Sequence, residues 1–404
     1  TQGETWVTIS VVGLGRLGSP MAACFASKGF RVIGVDVDQK KVDDLNGGFA
    51  PVSETGLHEL LREPGLCLTA TTDLELAVSQ TDVTFVVTAT PSEPDGRFSL
   101  KHILPVCEKI GAALACKDKF HVVAITSTVM PGDCDGPIKA ALEEASGGIC
   151  GEQFGLVYNP EFIALGSVIK DFLKPDFVLL GANDPLSYAR IAQIYESCVD
   201  SPVIKSMTRV NAELTKLALN SYITTKISFA NTLCRICETI PGCDIDVVTD
   251  AIGTDSRIGK KYLKGAISYG GPCFPRDNRA LATLAPEFAD IPKTVDSFNR
   301  KQIKWLADFV LSIAGQGGIT ILGKTYKPGT DVTEESAGLL LQQELESRAV
   351  PVANTYLGNT VVIMQPDPKF ADLDYSGKLV IDCWRAFGYL ADCPDVDYYP
   401  LGLG

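Results

Sequence analysis

The sequence predicts an α/β protein of two doubly wound domains joined by an all-α domain with a long helix, and three observations carry that prediction. Residues 7–35 read strand, glycine-rich turn, helix, strand. A helical stretch from about Met207 to Thr239 is interrupted by no strand-like run, and around residue 300 the alternation of strands and helices returns. The expected boundaries are 1–205, 206–300 and 301–404. A chain of 404 residues, at about 150 per domain, leaves room for two or three such units.

In order, apolar runs predict strands at Val7–Val12, Arg31–Val35, Val83–Thr88, Val122–Ile125, Phe154–Tyr158 and Phe177–Gly181. Helical patterns fall between or after them, near Leu17–Lys28, Leu57–Leu61, Leu100–Ala115 and Pro185–Val199. Strands alternating with helices imply a parallel sheet covered on both faces. In the middle segment Leu214, Leu217, Ala218, Leu219, Ile223, Ile227 and Phe229 recur at helical spacing. Beyond it, a strand at Ile319–Leu322 precedes a helix at about Ser336–Ser347. Strands at Pro351–Ala353 and Val361–Met364 are then separated by seven residues, Asn354 to Thr360. A parallel crossover needs roughly a dozen, so either these strands are not parallel neighbours or the domain lacks a segment.

Hydrophobic residues make up 46% and charged residues 21% of the chain, which excludes a disordered or collagen-like protein. Lys and Arg number 36 against 49 Asp and Glu, a net charge of -13. Such a chain repels phosphate backbones as a whole, so no nucleic-acid partner is expected, and any anionic ligand must be met by a local cluster of cations or backbone N–H groups. Thirteen cysteines are scattered from Cys24 to Cys393, and no apolar run approaches the ~20 residues needed to span a bilayer, so no signal peptide is expected. The expectation is a soluble, cytoplasmic protein with reduced thiols and no membrane partner.

Gly13-Leu14-Gly15-Arg16-Leu17-Gly18 is a G-x-G-x-x-G between a predicted strand and a predicted helix. Gly13 allows the tight turn, Gly15 lets a pyrophosphate approach the backbone, Gly18 lets helix and strand pack, and the helix N-terminus supplies partial positive charge. Asp36 ends the next strand, where a carboxylate accepts hydrogen bonds from an adenosine ribose and repels a 2′-phosphate. The pattern predicts a Rossmann-like dinucleotide site that favours NAD over NADP, hence hydride transfer.

Three further groups carry chemistry. Cys273, in Gly270-Gly271-Pro272-Cys273-Phe274-Pro275-Arg276-Asp277, is bracketed by glycines and prolines that predict a rigid non-helical turn. A thiolate there can attack an aldehyde to give a thiohemiacetal, which a second NAD oxidises to a thioester. Read alone, a cysteine of this kind is more often an inert packing residue. Lys216 and Asn220 lie four apart on one helix face and can stabilise an alkoxide, although a solvated face accounts for them too. Glu161, in Asn159-Pro160-Glu161-Phe162, and Thr128 follow strands, at the carboxyl edge where doubly wound folds bind ligands. They can activate and orient a water, against the plainer roles of exposed acid and helix cap.

These motifs together resemble the nucleotide-sugar 6-dehydrogenases, the UDP-glucose and GDP-mannose dehydrogenases, over nearly the full length. The resemblance rests on the glycine fingerprint, Ser127-Thr128-Val129, Asn159-Pro160-Glu161-Phe162, Lys216 with Asn220, the stretch Gly270 to Asp277, and Tyr326-Lys327-Pro328 with Thr330-Asp331. It implies a four-electron oxidation of a sugar C6 alcohol to a carboxylate with two NAD. Cys273 would be the nucleophile, Lys216 and Asn220 would hold the C6 oxygen, Asp277 would organise Lys216 and a water, and Thr128 with Glu161 would serve the hydrolytic water. Cofactor contacts would come from Gly13, Leu14, Gly15, Arg16, Leu17, Gly18, Asp36, Lys41, Thr88, Ser127, Thr128 and Arg276. Substrate contacts would come from Phe162, Ile163, Leu165, Lys216, Asn220, Arg257, Tyr262, Leu263, Lys264, Gly270, Lys327 and Arg385. In such proteins the helical middle domain makes a homodimer, and an arginine matching Arg257 reaches the partner subunit's nucleotide.

The chain departs from the family at three places. Leu165 stands where members commonly carry a second glutamate, and Glu334 where many have an arginine for the NAD pyrophosphate. The shortened 354–360 region and Trp384-Arg385 lie in the domain that usually wraps the base. Cys273-Phe274-Pro275 favours UDP-glucose over N-acetylated sugars. Two other readings compete: a two-electron β-hydroxyacid-type dehydrogenase, which shares Gly13 to Ala22 and a helical Lys with Asn but needs no cysteine, and a non-catalytic NAD or nucleotide-sugar sensor. Cys234, Cys237 and Cys243 carry no second C-x-x-C, and His58, His102 and His121 lie far off in sequence, so no metal is expected.

Overall fold

The computed structural model describes residues 7–353 and 358–404. The chain divides into two compact units, residues 1–216 and 217–404. The expected boundary at 300 falls inside a helix, Asp290–Ile313.

The first unit holds an eight-stranded sheet. Its strands are β1 Thr8–Val12, β2 Arg31–Val35, β3 Leu68–Thr71, β4 Val83–Val86, β5 His121–Ile125, β6 Phe154–Tyr158, β7 Val178–Ala182 and β8 Ile204–Met207, in the order 3-2-1-4-5-6-7-8. The reversal of strand order between β1 and β4 makes a switch point, and the glycine turn after β1 sits there. The strands are β-branched runs because both faces are covered. Ile9, Val11, Val32 and Phe85 join one cluster with the Gly18–Ser27 helix, while Val12, Ile33, Val35 and Val86 join another with the Leu104–Ala115 helix. On the first face Phe25 packs at 4.9 Å from Phe85, 5.2 Å from Phe172 and 6.4 Å from Tyr195, centroid to centroid. Fully burying an aromatic of this kind contributes about 2–3 kcal/mol.

Two expectations change here. The parallel sheet does not continue through β7, which pairs antiparallel with β6 before β8 pairs parallel with β7. The only helix in the intervening chain, Val168–Leu173, has six residues and rises about 9 Å, too short to return the chain along a strand of about 16 Å. The strands β3 and β8, half-exposed edge segments, carry no apolar run that would predict them.

The second unit begins within the Arg209–Cys237 helix and contains a parallel five-stranded sheet. Its strands are β9 Ile319–Leu322, β10 Val352–Ala353, β11 Thr360–Ile363, β12 Lys378–Asp382 and β13 Val396–Pro400, in the order 10-9-11-12-13. The question raised by the short 354–360 segment is answered by that order. β10 and β11 pair with opposite edges of β9 and are not neighbours. Most of the segment, 354–357, lies outside the described residues. One core joins Cys234 and Ile245 to Ile303, Leu306, Leu341 and Val362, so the helices and this sheet pack as a single body.

Candidate active site

The glycine turn shows three different uses of glycine. Gly13 has φ +102°, and a Cβ on it would lie 2.5 Å from the Val87 carbonyl oxygen. A Cβ on Gly18 would lie 1.8 Å from the Gly13 carbonyl oxygen, so no other residue lets this helix start so close to β1. Gly15 faces open space, with nothing within 4 Å of its Cβ position. That opening beside a helix N-terminus fits a pyrophosphate. Leu14 is buried, packs on Gly34 and donates its N–H to Asp36 Oδ2 at 2.8 Å. Lys41 Nζ stands 3.2 Å from the same oxygen. Leu17 precedes the helix as its cap, and Arg16 is half-buried beside it.

Across the switch point, Ser127 Oγ donates to the Thr88 carbonyl at 2.7 Å, and Thr90 Oγ1 donates to that of Thr128 at 2.7 Å. These bonds hold the ends of β4 and β5 side by side. Thr88 Oγ1 is buried and has no hydrogen-bond partner among the described residues. A buried hydroxyl in that state calls for a ligand atom, and together with the open Gly15 face it fits a dinucleotide.

Glu161 follows β6, as expected, but it is not an exposed acid. Burial raises its carboxyl from 4.5 to about 7, against the opposing hydrogen bond from Tyr195 and the charge of Lys216. Lys216 Nζ donates to the Glu161 carbonyl oxygen at 2.7 Å and lies 4.8 Å from the centroid of the Phe162 ring. Phe162 packs on Phe177, centroids 4.9 Å apart, and Ile163 packs against the core of the first unit. Leu165 is half-buried. In this unit the structure therefore brings Lys216, Glu161 and Phe162 together.

In the second unit Cys273 is exposed at the end of the bend 271–273, as expected, but a helix that the sequence did not mark begins at the next residue. Cys273 is the N-cap of that Phe274–Leu284 helix, with its carbonyl accepting from Asp277 N at 2.8 Å. Pro275 in the first turn and the prolyl and glycyl residues before it start the helix instead of excluding it. An N-cap position is where helical partial positive charge gathers. Asp277, 1% exposed, accepts from Asn220 Nδ2 at 2.7 Å, and Arg276 Nε lies 3.8 Å away. Other thiols differ in kind: burial pushes Cys24, Cys107, Cys198 and Cys234 up to about 12, which leaves them neutral packing groups. Gly270 lies against the Glu335 carbonyl and Gly271, at φ +85°, against the Tyr326 ring, so this turn is seated on the 326–335 loop.

The remaining substrate-side residues separate into two groups. Arg257, Tyr262 and Lys264 are exposed; Arg257 pairs with Asp255 at 2.7 Å, and Lys264 Nζ stands 4.0 Å from Asp246. Lys327 is half-buried, with Nζ 5.8 Å from the Tyr326 ring centroid. Leu263 is buried in the fold. Arg385 is committed internally: Nε and Nη2 reach Asp246 at 2.8 and 2.9 Å, and its guanidinium also donates to the carbonyls of Gly265 and Leu401. Among the described residues no group of three or more His, Cys, Asp or Glu is arranged to hold a metal ion, and no helix is long and apolar enough to cross a membrane.

Two residues near Glu161 have no counterpart in the sequence reading. Tyr195 places its hydroxyl 2.7 Å from both Glu161 Oε1 and Asn159 Oδ1. Glu54 caps the loop after Glu161, accepting from the N–H groups of Gly166 at 2.9 Å and Val168 at 3.0 Å. Both act across long sequence separations, and no local motif marks them.

Comparison with known proteins agrees with this geometry. Residues 7–199 match the NAD binding domain of the UDP-glucose/GDP-mannose dehydrogenase family, and residues 210–301 match its central domain. The chain is 36% identical to the UDP-glucose 6-dehydrogenase AglM of Haloferax volcanii, over 95% of this chain and 93% of that protein. It is 34% identical to GDP-mannose 6-dehydrogenase of Pseudomonas aeruginosa, over 81% and 76%. Among solved structures it is similar to a UDP-glucose dehydrogenase from the hyperthermophilic archaeon Pyrobaculum islandicum, with TM-score 0.88 and 29% identity, covering 100% and 99% of the two chains.

Proposed function

This chain belongs to the UDP-glucose/GDP-mannose dehydrogenase family and uses NAD, and from that premise we propose that it oxidises the C6 hydroxyl of UDP-glucose to the carboxylate in two steps. The observation that carries the two-step reading is Cys273, exposed at the N-cap of a helix, with buried Asp277 in that helix's first turn. NAD, when bound, accepts a hydride from the sugar carbon in each oxidation.

In the first oxidation Lys216 and Asn220 hold the C6 oxygen as its proton passes to a water molecule. Cys273 then attacks the resulting aldehyde. The sulfur–carbon bond forms, and the carbonyl oxygen becomes the thiohemiacetal oxygen that the same donors stabilise. Loss of the second hydride leaves a thioester on Cys273. Thr128 orients a water, Glu161 takes its proton, the new carbon–oxygen bond forms, and the Cys273 thiolate leaves.

UDP-glucose is favoured by Cys273-Phe274-Pro275 and by what the Haloferax and Pyrobaculum relatives are named for. Lys264 and Arg257 supply local cations for the diphosphate of a substrate that an acidic chain otherwise repels. A homodimer is part of the same reading. Tyr222, Phe229 and Ile236, seven apart on the long helix, are 63%, 53% and 46% exposed, an apolar stripe suited to a second copy of that helix.

Activity with UDP-glucose, GDP-mannose, UDP-N-acetylglucosamine and UDP-N-acetylmannosamine, with the product mass determined, tests the proposal. UDP-glucuronate from UDP-glucose supports it. A different preferred sugar overturns the substrate, and an aldehyde as final product overturns the second oxidation.

A further inference from the structure

Asn159, Tyr195 and Glu161 form a chain of contacts in the first unit whose protons can be counted. Asn159 Nδ2 donates to the Leu179 carbonyl at 3.2 Å, which turns its Oδ1 towards Tyr195. The Tyr195 hydroxyl lies 2.7 Å from that oxygen and 2.7 Å from Glu161 Oε1. A phenol has one proton and Asn Oδ1 has none. If Glu161 is ionised, Tyr195 can satisfy one of these two contacts, and the other sets two acceptors face to face. Turning the Asn159 amide over only moves the conflict to Leu179. If Glu161 carries a proton, every contact is made: Glu161 donates to Tyr195, Tyr195 to Asn159, and Asn159 to Leu179.

We propose that Tyr195 and Asn159 are positioning residues that hold a proton on Glu161 and so set the pH above which it serves as the base for water. This rests on the reading of Glu161 as that base. Taken alone, a hydroxyl donated by Tyr195 would favour the carboxylate; the competing Asn159 oxygen reverses that sign. The groups facing Glu161 from other elements are few. Among the described residues they are Tyr195 from the Pro185–Cys198 helix, Cys24 from the Gly18–Ser27 helix and Lys216 from the long helix, with Cys198 beside Tyr195 and Cys24. The two thiols and the phenol are neutral at ordinary pH, so Lys216 is the one charged group among these four, and its charge opposes the proton. Burial acts in the same direction as the chain and carries the carboxyl to about 7. The Tyr195 ring is fixed among Phe25 and Phe172, so its hydroxyl cannot swing away to relieve the conflict. When water attacks the thioester and gives its proton to Glu161, the chain is completed, which favours the base at the moment it is needed.

Infrared difference titration of the carboxylic acid C=O band reads the proton directly, with Glu161→Gln identifying the band. The wild-type band is expected to titrate near pH 7, and in Tyr195→Phe its midpoint falls by about one pH unit, a tenfold easier loss of the proton. Asn159→Ala, which frees Tyr195 to donate to the carboxylate, lowers it in the same direction and serves if Tyr195→Phe does not fold. An unchanged or raised midpoint in both variants overturns the proposal. The pH profile of turnover separates the two layers. If the infrared midpoint shifts while turnover ignores it, the proton-holding chain stands and the reading of Glu161 as base falls.

Discussion

Asn220 Nδ2 donates to Asp277 Oδ2 at 2.7 Å, joining the long helix to the first turn of the helix that Cys273 caps. A carboxylate 1% exposed is thus held by a neutral amide, and Arg276 Nε at 3.8 Å adds positive charge. Asp277→Asn keeps the shape and removes the charge. Steady-state kinetics should show kcat lower by about a hundredfold with KM little altered, as for the loss of a group that orders the reacting centre in the transition state. A normal kcat would make Asp277 a packing residue.

The glycines of the turn separate fold from ligand. Gly18→Ala drives a methyl into the Gly13 carbonyl, whereas Gly15→Ala meets no atom of the protein. Gly18→Ala should therefore lower the melting temperature sharply. Gly15→Ala should fold normally yet bind NAD at least tenfold more weakly by calorimetry, because its methyl occupies the approach to the pyrophosphate.

Glu161 makes stability depend on pH in a definite direction. Its carboxyl is raised from 4.5 to about 7 in the folded protein, first by burial, so the folded state binds the proton more tightly than the unfolded chain. The stability this lends is fully present below 4.5 and is lost as pH rises through about 7. Glu161→Gln cannot ionise. Chemical denaturation should show it gaining about 3 kcal/mol on the wild type between pH 4 and pH 9.

Arg385 illustrates a second sorting of roles. Burial works to raise the Asp246 carboxyl, yet the hydrogen bonds and charge of Arg385 outweigh it and hold that carboxyl below its usual value. Asp246 remains 40% exposed, which moderates the pair. Arg385→Ala should destabilise the protein by about 2 kcal/mol. KM for the nucleotide sugar measured at a temperature where the variant is folded should stay within about threefold of wild type if the arginine is only a clamp. A rise of tenfold or more would restore it to the substrate site.

Sequence reading is most direct where the demands of an element are local in the chain. The glycine turn, Asp36 and the Ser127-Thr128 and Asn159–Phe162 stretches are short strings whose backbone demands are written in consecutive residues. It succeeds less where an element is defined by its neighbours. β12 and β13 are joined by a 3-10 turn, Gly388–Asp392, instead of a helix, and no apolar periodicity marks that turn. The helix that begins just after the Cys273 bend is hidden because Gly and Pro are frequent there, although Pro is at home in a first turn. Tyr195 and Glu54 were illegible for a plainer reason: they meet Glu161 and its loop across 34 and 112 residues.

The central claim is that one chain performs two successive oxidations through Cys273. The most direct measurement is the number of NADH formed per UDP-glucose consumed, in the wild type and in Cys273→Ala. The wild type should form two NADH per UDP-glucose, and Cys273→Ala should form no glucuronate. One NADH per sugar, with Cys273→Ala as active as the wild type, would contradict that claim.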